Sequence, residues 1–140
     1  MRRSRSAPRA AIARLWLCAL AAVLLPAAEA ATPAVIRVEM REFAFQPATL
    51  RVPAGRPVRL VLVNRGQIAH QIEAPALRTI PATVVSGAVY VESPGLEIVR
   101  VQPGGSATVH ILLRRPGRFP FACTIEGHTE AGMTGILDVR

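Results

Sequence analysis

The chain has 140 residues and a formal net charge of +8 from 17 Lys and Arg against 9 Asp and Glu. This length favours one domain, and the lack of a basic run or of aromatic residues interleaved with arginine argues against nucleic acid as a partner. Residues 31–140 retain 12 Arg and 8 acidic side chains, a mildly basic balance that would suit an acidic protein partner.

The first 30 residues predict a signal peptide. Arginines 2, 3, 5, 9 and 14 precede the apolar run "LWLCALAAVLL" at 15–25, and "AEA" at 28–30 is a small-x-small cleavage site. The apolar run is shorter than the roughly 20 residues of a membrane span, and Pro26 ends it. We therefore predict a signal peptide at 1–30, a domain at 31–140, and export to the periplasm without a stable membrane span. An uncleaved N-terminal anchor is the alternative.

Runs of strand length, separated by Gly and Pro, follow along the chain at 35–40, 43–45, 49–52, 58–63, 70–74, 107–113, 119–123 and 135–139. No stretch after residue 31 shows a helical period, so the sequence predicts an all-β sandwich or small barrel. Pro120 inside a strand indicates an edge, or a position where no neighbour needs its N–H. In the ambiguous segment 75–100, a hairpin could pair 83–91 with 96–101 around "SPG".

The segment "FPFACTIEGHTEAGMTG" at 119–135 spaces Cys123, His128 and Met133 five positions apart. On a helix this spacing would turn the side chains about 140° from one another, whereas a glycine-rich loop between two strands can gather them. Singly, these residues would suggest a buried thiol, a surface histidine and a core methionine. Together, a thiolate, an imidazole and a thioether are the donors that suit copper.

A copper site of this kind has one Cys and two His in a plane, with a long axial Met. The second histidine must be His70 or His110. His70 follows a turn and opens a strand, where it can project from the end of a sandwich. His110 lies opposite the apolar face of its strand and should point outward, so we select His70. Glu126 and Glu130 are expected to be solvated.

Two long segments resemble the cupredoxins, small type-1 blue-copper proteins of the plastocyanin, azurin and rusticyanin kind. They are "FAFQPATLRVPAGRPVRLVLVNRGQIAHQIEA" at 43–74 and "PGRFPFACTIEGHTEAGMTGILDV" at 116–139, and the Cys-x4-His-x4-Met spacing is closest to the rusticyanin type. The resemblance implies a single-domain Greek-key β-sandwich with one mononuclear copper site at one end. It carries the metal-ligand roles onto His70, Cys123, His128 and Met133.

At position 71 the sequence departs from the pattern of many family members, and at position 127 it argues against a binuclear copper centre. Many members have Asn or Ser directly after the first histidine, where it ties the two ligand loops together, but this chain has Gln71. A binuclear copper centre would need a second Cys at position 127, which is Gly127.

The sequence therefore predicts an exported one-electron carrier that cycles copper between Cu(II) and Cu(I). Its partner would be a redox protein with an acidic docking face. The alternative is a module that stores or delivers copper without a redox partner. An enzyme is not expected, because no orienting acid or oxyanion motif accompanies the Cys–His pair and the chain has few histidines for a second catalytic copper.

Overall fold

The computed structural model describes residues 32–87 and 89–140, with the backbone alone for Val89 and Tyr90. The predicted signal peptide lies outside these residues, so its cleavage stays a prediction. No helix in the described part of the chain is long and apolar enough to cross a membrane. One 3₁₀ turn, Pro75–Leu77, interrupts the strands.

The described residues form eleven strands: β1 (Ala34–Arg41), β2 (Ala44–Gln46), β3 (Thr49–Val52), β4 (Val58–Asn64), β5 (His70–Glu73), β6 (Ala82–Ser86), β7 (Val89–Ser93), β8 (Ile98–Val101), β9 (Ser106–Ile111), β10 (Gly117–Ala122) and β11 (Thr134–Val139). Each of the runs predicted from the sequence coincides with one of these strands to within two residues. The alternation of apolar and polar residues thus located the strands, because one face of each is buried.

The strands lie in two sheets. One sheet has the order β2-β1-β4-β9-β6-β7 and the other the order β3-β11-β10-β5-β8. Most neighbours are antiparallel, while β1 pairs with β4, and β3 with β11, in parallel. Successive strands repeatedly cross between the sheets, which confirms the predicted single-domain Greek-key β-sandwich.

The core fills the space between the two sheets. On β4, Val58, Leu60 and Leu62 are buried, while Arg59 on the other face is exposed. Each fully buried Val or Leu side chain contributes about 1.5–3 kcal/mol, so these inward rows hold the sheets together. On the outer face of the same strand, Val61 is half-buried.

The hairpin predicted between 83–91 and 96–101 is wrong. The chain turns earlier, at Gly87, whose φ of +56° is accessible to glycine, and β6 pairs with β7. Strand β8 instead joins the other sheet and pairs with β5, with His70 opposite Val101. The consequence for the site is that β8 flanks the strand that begins with His70.

Pro120 occupies a position that tolerates the loss of an N–H. Strand β10 pairs along its whole length with β11, but it meets β5 only through Ala122 opposite Glu73. Pro120 therefore has no strand partner on the β5 side, in agreement with the expectation from the sequence.

Candidate metal centre

Two segments bring the predicted ligands to one end of the sandwich. His70 is the first residue of β5, and Cys123 directly follows β10. His128 lies in the loop between β10 and β11, and Met133 directly precedes β11. The loop is therefore fixed at both ends by a paired strand, as the sequence predicts.

His70, Cys123 and His128 form one compact cluster. One donor atom from each side chain lies within 4.8 Å of the other two, and Cys123 Sγ is 3.2 Å from His128 Nδ1. His70 and Cys123 are fully buried, and His128 is 6% exposed. The structure thus brings these three side chains together, and Met133, in the same loop as Cys123 and His128, is buried.

Backbone hydrogen bonds fix the shape of the loop that carries three of the predicted ligands. The Cys123 N–H donates to the Met133 carbonyl, and the Met133 N–H donates to the His128 carbonyl, both at 3.0 Å. The Thr129 hydroxyl donates to the Cys123 carbonyl at 2.7 Å. Gly127 has a φ of +80°, a left-handed conformation that favours glycine, so the loop closes on itself around the cluster.

Asn64 fixes the segment that carries His70. Its side-chain amide donates to the carbonyls of Ile68 and Val101 at 2.8 and 2.9 Å, and its oxygen accepts from the Gly66 N–H at 2.8 Å. Asn64 is completely buried. A buried side chain that satisfies three backbone groups rigidifies the turn between β4 and β5.

Gln71 ties the two ligand segments together in place of the Asn or Ser found in many cupredoxins. Its backbone N–H points to Cys123 Sγ at 3.4 Å, and its side-chain amide donates to the Thr124 hydroxyl at 2.7 Å. Arg100 on the neighbouring strand β8 donates to the Gln71 side-chain oxygen at 2.8 Å. The residues after His70 and after Cys123 are therefore bonded directly to each other.

A third segment, which the sequence reasoning missed, closes the cluster. The turn between β1 and β2 contributes Glu42 and Phe43. Glu42 Oε1 lies 4.0 Å from His70 Nε2, and the Phe43 ring packs edge-on against His128 with 5.3 Å between ring centroids. This pair begins two residues after the alternating run 35–40, but neither residue type indicates a metal site.

The environment of His70 favours its neutral form. Burial lowers the pKa of His70, the neighbouring His128 lowers it further, and the Glu42 carboxylate opposes both effects. Both His70 ring nitrogens are buried without a hydrogen-bond partner. Because buried polar atoms are normally paired, and neutral imidazole is the form that binds metals, this histidine is suited to a metal ion.

The remaining candidates lie away from the cluster. His110 is exposed on the outer face of β9, opposite Arg59 of β4, and so points outward as predicted. Glu126 and Glu130 are exposed in the ligand loop. Of the residues described, only His70, Cys123 and His128 form a group of three or more His, Cys, Asp or Glu side chains that could hold a metal ion.

The fold and the buried cluster define a small copper-binding β-sandwich protein. A family model described as a cupredoxin-like domain matches residues 10–134. The chain therefore belongs to the cupredoxin-like family, and its donor set of thiolate and imidazoles fits the copper that this family implies.

Two relatives carry the same name. The chain is 36% identical over 110 residues to the copper-resistant cuproprotein CopI of Rubrivivax gelatinosus, covering 75% of this chain and 66% of that protein. It is 26% identical over 146 residues to the copper-resistant cuproprotein CopI of Pseudomonas aeruginosa, covering 82% and 81%. The chain thus spans just under two thirds of the first relative.

Solved structures share the fold. Auracyanin B superposes with a TM-score of 0.55 at 26% identity, covering 78% of this chain and 91% of that chain. A multicopper oxidase from Campylobacter jejuni gives a TM-score of 0.61 at 12% identity, covering 83% of this chain and 31% of the oxidase. The likeness to the oxidase shows the fold alone.

Proposed function

We propose that this protein is an exported type-1 blue-copper protein that carries single electrons. The observation that carries the proposal is the buried His70–Cys123–His128 cluster, held by hydrogen bonds within and between the two segments that carry its residues. A site that is already assembled and closed to water needs little rearrangement when the charge of its metal changes. Such a site favours fast electron transfer.

Each predicted ligand has its own part in this proposal. Cys123, His70 and His128 would hold copper, and the buried Met133 would be a weaker fourth ligand. Copper, when bound, supplies one-electron exchange between Cu(II) and Cu(I). The Gln71 N–H at Cys123 Sγ would hold the thiolate in position, and the enclosed site excludes water.

The surface over His128 supports a role in contact with a partner. Phe43 packs on the His128 ring and is 43% exposed, and Ile68 is 41% exposed. The exposed Phe43 ring beside the least buried cluster residue would provide a dry contact for electron transfer. Arg65 and Arg100, exposed beside Asn64 and Gln71, favour a redox partner with an acidic docking face.

A second function, copper handling without a redox partner, is supported by the two relatives named copper-resistant cuproproteins. The same ligands would serve storage or delivery, but the site would have to release copper readily. We place the carrier first because the cluster is buried and fixed. The described residues offer no second metal cluster of this kind, and we propose no enzymatic step.

The test begins with one equivalent of Cu(II) added to residues 31–140. An intense blue colour from thiolate-to-copper charge transfer, lost in Cys123→Ser, would support the copper site. A colourless complex, or a blue Cys123→Ser variant, would exclude it. His110→Ala is the matched control and should leave the spectrum unchanged.

Repeated reduction and oxidation with a mild Cu(I) chelator then separates the two functions. A carrier must keep its copper in both oxidation states, so the blue colour should return in full after each cycle. Rapid loss of copper on reduction would instead support the delivery module.

A further inference from the structure

The turn between β1 and β2 directs two consecutive side chains to the two histidines of the cluster. Phe43 has a φ of +59°, a left-handed conformation uncommon for a residue other than glycine, Asn or Asp. In this conformation Phe43 contacts His128 while Glu42 lies next to His70. Such backbone conformations persist where the surrounding structure determines them, so the turn is part of the site.

The Glu42 carboxylate is held against the protein on the His70 side. The backbone N–H of Gln67 donates a hydrogen bond to Glu42 Oε1, and this bond fixes the position of the carboxylate. Gly66 lies between the two side chains, because a Cβ built there would contact Glu42 Oε1 and lie 2.8 Å from His70 Nε2. A side chain at position 66 would therefore displace Glu42 or His70.

The Nε2 atom of His70 faces Glu42 and Gly66. Nε2 lies 4.0 Å from Glu42 Oε1, and neither ring nitrogen has a hydrogen-bond partner inside the protein. Ligating histidines almost always donate their second ring N–H to a carboxylate, a carbonyl or water. A carboxylate can accept several hydrogen bonds, so an approach of about 1 Å would let Glu42 accept from Nε2–H while it keeps the bond from the Gln67 N–H.

We propose that Glu42 is a positioning residue that accepts the Nε2–H of His70 and thereby reserves Nδ1 for copper. This inference rests on the proposed ligand set. The fixed negative charge beside His70 also favours the more highly charged Cu(II) over Cu(I), so it lowers the reduction potential. The same hydrogen bond holds the imidazole ring in the orientation that the metal requires.

The decisive variant is Glu42→Gln in the copper-loaded protein, which removes the charge and keeps the shape. Mutation of a residue that hydrogen-bonds a metal ligand typically changes metal affinity 10–100-fold. We therefore expect the ratio of the Cu(II) affinity to the Cu(I) affinity to fall about tenfold. This change corresponds to a rise of about 59 mV in the reduction potential. Glu126→Gln removes an equal charge from an exposed position of the ligand loop. This control should change the ratio less than about twofold, because solvent and salt screen it.

A second readout needs no variant. Cu(I) is diamagnetic, so long-range ¹H–¹⁵N NMR of the reduced wild type reports which ring nitrogen of His70 carries the proton. The proposal requires a proton on Nε2 that is protected from exchange with solvent and becomes faster-exchanging in Glu42→Ala.

Each failure has a separate meaning. A colourless Cu(II) wild type overturns the proposed function and this inference with it. A blue wild type in which Glu42→Gln and Glu126→Gln shift the potential equally, or in which His70 carries its proton on Nδ1, overturns this inference alone. Loss of the blue spectrum in a folded Glu42→Gln would make Glu42 a ligand and would also overturn the positioning role.

Discussion

Replacing Asn64 with alanine removes the side chain that fixes the segment between β4 and β5. The variant loses three hydrogen bonds, to Ile68, Val101 and Gly66, each with a net value of about 1 kcal/mol. Backbone groups left buried without partners add to this cost. We therefore expect the free energy of unfolding to fall by about 3–4 kcal/mol, a large part of the roughly 5–15 kcal/mol available to a domain.

Urea denaturation of the copper-free protein measures this loss, and the slope of the transition should stay unchanged if the folded state keeps its compactness. The melting temperature should fall by about 12–16 °C, at about 4 °C per kcal/mol. Gln67→Ala is the matched control, because Gln67 is an exposed residue of the same segment, and it should cost less than about 0.5 kcal/mol. A loss below about 1 kcal/mol for Asn64→Ala would refute the reasoning.

Three further predictions concern the cluster itself. His70→Ala and His128→Ala should each lose the native blue spectrum, whereas His110→Ala should keep it; an essential His110 would show that the wrong histidine was selected. The Met133→Leu variant should stay blue and lose less than about 1.5 kcal/mol of the free energy of unfolding. Its reduction potential should rise, because a drier site disfavours Cu(II), and a lower potential measured by voltammetry would contradict this. Burial lowers the pKa of His70 from its ordinary 6.5, so the unfolded chain binds more protons at low pH. The stability of the copper-free protein should be level above about pH 6.5 and fall below it by at most about 1.4 kcal/mol per unit, and a His70→Gln variant should show a flatter pH dependence in denaturant titrations.

The strands and the cluster were accessible from the sequence because both depend on local patterns. Alternating apolar residues mark a strand with one buried face wherever that strand pairs. The five-residue spacing of Cys123, His128 and Met133 lies within one loop, and only two histidines of the domain remained to complete the set. Local spacing and residue type were therefore enough.

The features that the sequence did not reveal depend on contacts between distant segments. The residues of the run 96–101 do not indicate whether it pairs with β5 or with β6 or β7, because β-branched residues suit any sheet position. Likewise, no glycine marks the left-handed turn at Phe43. Glu42 comes to lie beside His70 only when β1 and β4 pair. Gln71 is a further example, because only the structure shows that its side-chain amide, longer than that of Asn, reaches the Thr124 hydroxyl.

The parallel pairing of β3 with β11 has a consequence for how copper binding is linked to folding. It joins Thr49 to Ile136, and the contact between Gln71 and Cys123 spans 52 positions of the chain. Contacts between such distant segments require long loops of the chain to close, so the donor atoms converge only in the folded sandwich. A metal that binds this state alone adds to its stability by mass action, about 2.7 kcal/mol at one hundred times the dissociation constant. Global unfolding therefore separates the donor atoms, and copper retention under denaturing conditions reports on the integrity of the entire domain.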